Sequence, residues 1–217
     1  MSLCDSSLFP EGLYYVLAGY CCLVNYSGKI IMQPTHPPQR TSCFSTLLAL
    51  ILKDIRLERN VHQAFIAQAI GKTPSAWGKI ESSQSPLQMD SFFGACYALA
   101  MHPSQVMQVA ERLIPIFNRY NWYFQSAHLG DEDELVPLLQ KYYASSGYEA
   151  LKNRPLERVS IAAFSSYFNS AEPTVVQYCS LEQTRAWIDN GAVAGNPSQQ
   201  PSLLSLVTTA SAGTLGF

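Results

Sequence analysis

Residues 52–107 read LKDIRLERNVHQAFIAQAIGKTPSAWGKIESSQSPLQMDSFFGACYALAMHPSQVM and carry the clearest helical periodicity of the chain. From Phe44 onward, apolar side chains recur three and four positions apart, which predicts a first helix that ends at Asn60. A second helix is predicted over residues 63–70, with Gly71 just past its last turn, where glycine is favoured.

A third helix is predicted over residues 73–81, and both residues at its start favour this boundary. Thr73 is a good N-cap, because its hydroxyl can accept a hydrogen bond from a free backbone amide of the first turn. Pro74 is favoured at the first helical position, where the missing N–H is not needed. Residues 82–86, SSQSP, are typical of a loop.

Two more helices complete the region. A fourth is predicted over about 89–100, and the pair His102-Pro103 separates it from a fifth helix, which Pro115 bends or ends. Five short helices, with turns of three or four residues at 59–62 and 71–73, are typical of a helix-turn-helix domain, which we expect over residues 44–114.

Ten residues of this stretch share a spacing that is typical of one family. They are Leu52, Arg56, Gln63, Ile66, Ala67, Gly71, Thr73, Ile80, Glu81 and Leu99. On these positions the stretch resembles the Cro/Xre (lambda repressor-like) family of transcriptional regulators, with no insertion needed. The resemblance implies an all-α fold, in which a five-helix lambda repressor-like helix-turn-helix domain is followed by a helical C-terminal extension. It also implies sequence-specific binding to double-stranded DNA.

Three positions depart from the family pattern. Ser83 stands where a glycine commonly follows the Ile-Glu pair, so this turn must form without glycine. Lys72 replaces a buried aliphatic residue, and its methylene stem must therefore lie along apolar surface. Trp77 replaces an aliphatic residue that packs the recognition helix, and its spacing from Ile80 predicts that it lies in the core.

Residues 73–81 are the expected recognition helix, whose N-terminal residues face base edges in the major groove. Thr and Ser hydroxyls discriminate weakly between bases and Pro makes only apolar contact, so we expect modest direct readout and a larger share from DNA shape. The resemblance implies that Gln63 reaches a phosphate or a base, whereas Arg56 and Glu81 form a structural ion pair. The expected DNA-binding residues are Gln63, Lys72, Thr73, Pro74, Ser75, Gly78 and Lys79.

Charge supports this expectation locally. The whole chain has a net charge of −2, whereas residues 40–82 hold six Lys or Arg and three Asp or Glu, a net charge of +3. A locally basic module on an acidic protein is suited to phosphate contact. The sequence holds no Gly-rich phosphate loop, no cluster spaced for metal ligands and no Gly-x-Ser-x-Gly turn. We therefore expect no enzyme, no metal and no cofactor, and the sequence identifies no small-molecule effector.

The leading hypothesis is a transcriptional regulator that represses more often than it activates. We expect it to bind DNA as a homodimer, because one helix-turn-helix reads only a short half-site. The alternative is a protein-interaction module, similar to an antitoxin, in which a degenerate helix-turn-helix holds a partner. The six cysteines are scattered, which favours reduced thiols and an intracellular protein. Together with the expected DNA binding, this predicts a cytoplasmic, nucleoid-associated protein.

Residues 1–40 form an N-terminal extension for which three interpretations stay open. The uncharged run 12–28, GLYYVLAGYCCLVNYSG, is compatible with a buried strand or helix, or with translated sequence upstream of a start at Met32. A single membrane anchor is the least favoured of the three, because the run is at the lower edge of the length of a membrane span. The Pro-rich residues 33–40 are expected to form a flexible lead-in.

The C-terminal half, residues 115–191, matches no family pattern and is expected to be helical. The acidic run 131–134 suits the start of a helix, which we expect to end near Gly147. This half is a candidate region for dimerisation or for effector binding. Residues 192–217 contain no charged side chain, and we expect a mostly disordered tail there.

Overall fold

The computed structural model describes residues 14–17, 20–24, 30–34, 38–154, 156–164, 171–193 and 195. It divides the chain into two units, of which one spans Met1–Arg40 and the other begins at Thr41.

Three antiparallel strands form a sheet in the first unit. They pair in the order β1 (Tyr14–Leu17), β2 (Tyr20–Val24) and β3 (Ile30–Pro34). The register places Cys22 opposite Tyr15 on one side and opposite Met32 on the other. The described part of the run 12–28 is therefore strand, and the interpretation of this part as a helix is wrong.

Two other expectations bear on this extension. Among the described residues, no helix is both long enough and apolar enough to cross a membrane. Residues 33 and 34, expected in a flexible lead-in, belong to β3. A translation start at Met32 stays a prediction.

The second unit is mostly helical, as expected. Its short strands β4 (Arg40–Cys43) and β5 (Trp122–Gln125) pair with each other. The helices that precede β5 are α1 (Phe44–Glu58), α2 (Gln63–Ala69), α3 (Pro74–Glu81), α4 (Met89–Ala98) and α5 (Pro103–Arg119). After β5, a 3₁₀ turn covers Gly130–Glu132, and the α-helices are α6 (Leu135–Ala144), α7 (Ser146–Lys152), α8 (Ile161–Phe164), α9 (Thr174–Ser180) and α10 (Glu182–Asp189).

The ends of α1 and α2 lie where the sequence predicts them. Asn60 and Gly71 have φ angles of 54° and 66°, which is the left-handed conformation that stops a helix. Pro115, in contrast, does not end α5, which continues to Arg119. Residues beyond the proline, such as Phe117, are buried, and this burial offsets the lost backbone hydrogen bond.

A single apolar core joins both halves of the second unit. Leu47, Ile51 and Ile55 of α1 lie at its centre and are almost fully buried. The core continues on one side through Ile66, Trp77, Ile80, Phe92, Val106 and Leu113, and on the other through Tyr142, Tyr148, Val176 and Ile188. The structure thus joins residues 44–114 and 115–191 in one unit, and the boundary expected between them lies inside α5.

The helix that was expected to end near Gly147 ends three residues before it. Helix α6 ends at Ala144, and Gly147 lies inside α7. A Cβ atom on Gly147 would overlap the backbone carbonyl of Ile188, so the close approach of α7 and α10 requires glycine there. The sequence signal at this position was a packing contact rather than a helix end.

The remaining expectations for the second unit concern its cysteines and its tail. The described cysteines of this unit, Cys43, Cys96 and Cys179, are buried thiols rather than disulfides. The tail expected over residues 192–217 lies outside the described residues, apart from Ala192, Val193 and residue 195.

Candidate nucleic-acid interface

The turn between α2 and α3 depends on a left-handed residue. Gly71 occupies that conformation, and its amide donates to the carbonyl of Gln68 at 3.2 Å. The amide of Lys72 donates to the carbonyl of Ala67 at 2.8 Å. These two bonds satisfy the last carbonyls of α2 and direct the chain into α3.

The first turn of α3 is capped as the sequence predicts. The Thr73 hydroxyl accepts a hydrogen bond from the backbone amide of Ala76 at 3.2 Å, and Pro74 is the first residue of the helix. The cap fixes the position at which α3 begins, and with it the side chains that this end of the helix presents to solvent.

The Arg56–Glu81 ion pair forms, and it ties α1 to the end of α3. Nε and Nη2 of Arg56 donate to the two carboxylate oxygens of Glu81 at 2.6 and 2.9 Å. The third guanidinium nitrogen, Nη1, donates to the carbonyl of Val61 at 2.8 Å, and the indole nitrogen of Trp77 donates to Glu81 at 3.3 Å. Both charged residues are buried, so this two-point bond holds its geometry with little competition from water.

Gln63 joins the same carboxylate from the start of α2. Its side-chain amide donates to Oε2 of Glu81. Its amide oxygen lies 3.8 Å from the position that a Cβ on residue 78 would take, so Gln63 also lies against α3. Glu81 therefore receives hydrogen bonds from α1, α2 and α3, and we name these residues, Arg56, Gln63, Trp77 and Glu81, the Glu81 node.

The side of α3 that faces away from the core presents most of the expected DNA-binding residues. Trp77 and Ile80 are buried, as the sequence predicts for Trp77. Exposed positions are Gln63, Thr73, Pro74, Ser75 and Lys79, whereas Lys72 and Gly78 are half-buried. Partial burial of Lys72 agrees with the expectation that its stem lies along the protein surface.

The chain turns sharply after α3 without glycine. Ser83 has a φ angle of 59°, the left-handed conformation that a glycine would adopt with less strain. The amides of Gln84 and Ser85 both donate to the carbonyl of Lys79, at 2.8 and 3.1 Å. The turn thereby returns the loop 82–88 to the side of α3.

This loop and α3 enclose a shallow concavity of about 330 Å³. Its wall includes the expected residues Lys72, Thr73, Ser75 and Lys79. The loop adds Ser85, Pro86 and Gln88, which sequence reasoning did not single out. The hydroxyl and the amide suit hydrogen bonds to phosphate or base edges, and the two lysines are the charged groups among the described lining residues. In the sequence, these loop residues carry only a general loop signal.

The positive charge counted from the sequence is only partly available at this surface. Arg56 is used in the Glu81 node, and Arg59 donates to the carbonyl of Leu99. The ammonium of Lys53 lies 4.1 Å from the ring centre of Tyr143, and its pKa is lowered by burial. Three cations remain, of which Arg40 belongs to β4, whereas Lys72 and Lys79 line the concavity beside α3. Neither lysine forms an ion pair with a carboxylate among the described residues. The structure therefore offers two lysines at this surface.

In the part of the chain that the structure describes, no group of three or more His, Cys, Asp or Glu side chains is arranged to hold a metal ion.

Comparisons of this chain with models of protein families, with curated proteins and with solved structures found no significant match.

Proposed function

We propose that this chain is a sequence-specific DNA-binding transcriptional regulator of the Cro/Xre type, which docks residues 73–81 in the major groove. The observation that carries the proposal is the orientation of α3 by the Glu81 node. The node holds one side of the helix, while the capped N-terminal end, with Thr73, Pro74 and Ser75, faces solvent. The resemblance of residues 52–107 to the family supports the same assignment.

The chemistry of the exposed end predicts how DNA is read. Thr73 and Ser75 offer hydroxyls that donate or accept, and Pro74 offers an apolar contact to a thymine methyl. Residues 73–81 contain no Arg, Asn or Gln for a two-point contact to guanine or adenine. Discrimination between sequences would therefore come in large part from DNA shape and from the loop that carries Ser85 and Gln88.

Phosphate contact would come from Lys72 and Lys79. The amide oxygen of Gln63 can only accept a hydrogen bond, so it would face a donor on a base edge rather than a phosphate. Two lysines per protomer predict a dependence of log K on log salt with a slope of about −2, or about −4 for a homodimer. A homodimer is part of the proposal, since two-fold symmetry doubles the contacts with a palindromic site. Binding across a promoter would exclude polymerase, so we propose a cytoplasmic, nucleoid-associated repressor rather than an activator.

The test is fluorescence anisotropy with DNA from upstream of the protein's own gene, at two salt concentrations, with scrambled DNA alongside. The variant Ser75→Glu/Lys79→Glu places two carboxylates on the proposed face. Its matched control, Ser104→Glu/Lys152→Glu, makes the same substitutions at exposed residues of α5 and α7. We expect wild type and control to prefer the upstream DNA, and the variant to lose binding by at least about 100-fold.

Two results would contradict the proposal. No binding to any DNA would exclude a DNA-binding function, and an equal loss in the control variant would show that the effect is net charge rather than the α3 face. Equal affinity for upstream and scrambled DNA would contradict sequence-specific binding to this DNA, although it would not contradict DNA binding itself.

A second candidate function is a protein-interaction module, and one observation favours it. Phe65 on α2 is 55% exposed and Tyr97 on α4 is 65% exposed, although both are large apolar or aromatic side chains. Such residues are enriched at protein interfaces. This candidate predicts weak DNA binding that changes little with salt, in contrast to the steep dependence that phosphate contact gives.

A further inference from the structure

A second cavity, of about 510 Å³, opens on a different part of the second unit. Its walls come from α1, α4, α5 and β5. It therefore lies between helices of the proposed DNA-binding domain and the start of the C-terminal half. Three aromatic rings line it, those of Phe44, Phe92 and Phe124, together with the thioethers of Met89 and Met107. None of the ten described residues that line it carries a charge.

The walls combine fixed and adaptable groups. Phe92 is 2% exposed, and the ring of Phe124 lies edge-on to Phe117 with 5.3 Å between ring centres, so packing holds both rings. Met89 is 61% exposed and its unbranched side chain can adjust to the shape of a bound molecule. Rigid aromatic faces beside flexible thioethers are suited to contact with the flat face and the edge of a ring.

Polar groups at the cavity are few and uncharged. They are the side chains of Ser45, Gln125 and Ser126. We propose that this cavity is a binding site for a neutral, ring-containing small molecule that carries one hydrogen-bonding group. The volume lies within the range of about 300–1,000 Å³ that small-molecule sites occupy. A charged ligand is disfavoured, because its charge would lose water and find no opposite charge in the walls.

The same cavity adjoins the proposed DNA-binding surface through the loop before α4. Leu87 lines the apolar cavity, whereas its neighbours Pro86 and Gln88 line the concavity beside α3. Three consecutive residues thus face two sites, and a molecule that displaces Leu87 must also move the residues on either side of it. The site therefore regulates DNA binding, an extension that rests on the proposed function.

The first experiment tests the cavity without DNA. The probe is N-phenyl-1-naphthylamine, a neutral amine with one phenyl and one naphthyl group that fluoresces in apolar surroundings. Its matched control is 8-anilinonaphthalene-1-sulfonate, which has the same rings and a negative charge. We expect the full-length protein to bind one neutral probe saturably, and at least about tenfold more tightly than the sulfonate. Equal affinity for the two probes, or binding that does not saturate, would overturn the proposal.

Two substitutions on α4 test the location of the probe. Met89→Glu introduces a carboxylate at the cavity, in the first turn of α4, where a negative charge favours the helix. Tyr97→Glu makes a similar change at a side chain of α4 that does not line the cavity. We expect Met89→Glu to weaken probe binding by at least about tenfold and Tyr97→Glu to leave it unchanged. An equal loss in both variants would place the probe elsewhere and overturn the site.

The second experiment measures DNA affinity with and without saturating neutral probe. We expect a change of several-fold in wild type and none in Met89→Glu, because a ligand that shifts the loop must alter the affinity for DNA. Unchanged DNA affinity in wild type would overturn the regulation. If the protein binds no DNA but still binds the probe, the proposed function fails while the ligand site stands.

Discussion

Glu81 and Asp54 are both buried carboxylates that hold α1 to another part of the chain, but their surroundings differ. Glu81 receives both donors of the Arg56 fork at 2.6 and 2.9 Å, and further bonds from Gln63 and Trp77. Asp54 lies 3.6 Å from Arg158 and accepts bonds from the Tyr143 hydroxyl at 3.2 Å and the Ile161 amide at 2.7 Å. The first carboxylate is in close contact with its arginine, whereas the second hydrogen-bonds two formally neutral groups and lies farther from its arginine.

The two carboxylates also connect regions at different distances along the chain. The partners of Glu81 lie within 25 positions of it, whereas Tyr143 and Ile161 lie 89 and 107 positions from Asp54. Asp54 and Arg56 are two residues apart on α1 and therefore face different sides of the helix. Helix α1 thus contacts the proposed recognition helix, α3, through Arg56 and the C-terminal half through Asp54. We expect loss of either carboxylate to destabilise the same unit.

The largest effect is expected at Glu81. Replacement by Ala leaves the buried guanidinium of Arg56 without its partner, which we expect to lower the free energy of unfolding by about 3–5 kcal/mol. The double variant Arg56→Met/Glu81→Leu removes both charges, and we expect it to regain most of that loss. Urea unfolding followed by circular dichroism measures both. A loss below about 1 kcal/mol in Glu81→Ala would show that the pair is not the contact that fixes α3.

A smaller effect is expected at Asp54. Replacement by Ala leaves the Ile161 amide and the Tyr143 hydroxyl without an acceptor, but Arg158 keeps its bond to Glu58. We therefore expect a loss of about 2–3 kcal/mol. Glu58→Ala is the matched control, because Glu58 is exposed and its removal leaves Arg158 beside Asp54, so we expect a smaller loss of about 1 kcal/mol. Equal losses in the two variants, measured by urea unfolding, would contradict this order.

The comparison also shows what the sequence could predict. Helices α1 to α5 follow from apolar periodicity and from end signals such as Asn60, Gly71 and Thr73, all of which act within a few residues. The Arg56–Glu81 pair spans 25 positions, and it was expected from the resemblance to the Cro/Xre family rather than from a local signal. Pro115 was predicted to bend or end α5, and an end is wrong because burial of later residues outweighs the local effect of the proline.

Features that depend on contacts between residues far apart in the sequence could not be predicted. The pairing of β4 with β5 joins residues about 80 positions apart, and the contacts of Asp54 join residues still farther apart. Gly147 was assigned to a helix end because its contact with Ile188 has no local signature. At the candidate interface, α3 was predictable from its caps, whereas the position of Ser85 and Gln88 beside it depends on how the following loop folds back.

Ser83 lies in the turn that follows the Glu81 node, and it tests whether the backbone of this turn is strained. Its φ angle of 59° is strained for a residue with a side chain, so we expect Ser83→Gly to raise the free energy of unfolding by about 1 kcal/mol. Ser82 has a φ angle of −90°, where glycine gives no such relief. Ser82→Gly should therefore lose about 0.5–1 kcal/mol, from the added freedom of the unfolded chain. The same sign for both substitutions in thermal unfolding would contradict a strained turn at Ser83.

The smallest expected effect is the dependence of stability on pH that results from titration of Asp54. Burial raises the pKa of Asp54 above its ordinary value of 3.8, and it outweighs the attraction of Arg158, which acts in the opposite direction. A raised pKa means that the folded state favours the protonated carboxyl. This contribution to stability is fully present below pH 3.8 and is lost as the pH rises through the raised pKa.

Asp54→Asn has almost the same shape as the wild-type side chain but does not titrate. We therefore expect the stability of wild type relative to Asp54→Asn to fall as the pH rises, and urea unfolding of both proteins from roughly pH 3 to 7 measures this difference. A difference that rises with pH would mean that the ion pair with Arg158 stabilises the ionised form more than burial opposes it. Asp54 would then resemble Glu81 in being held chiefly by its arginine, and the distinction between the two carboxylates would be lost.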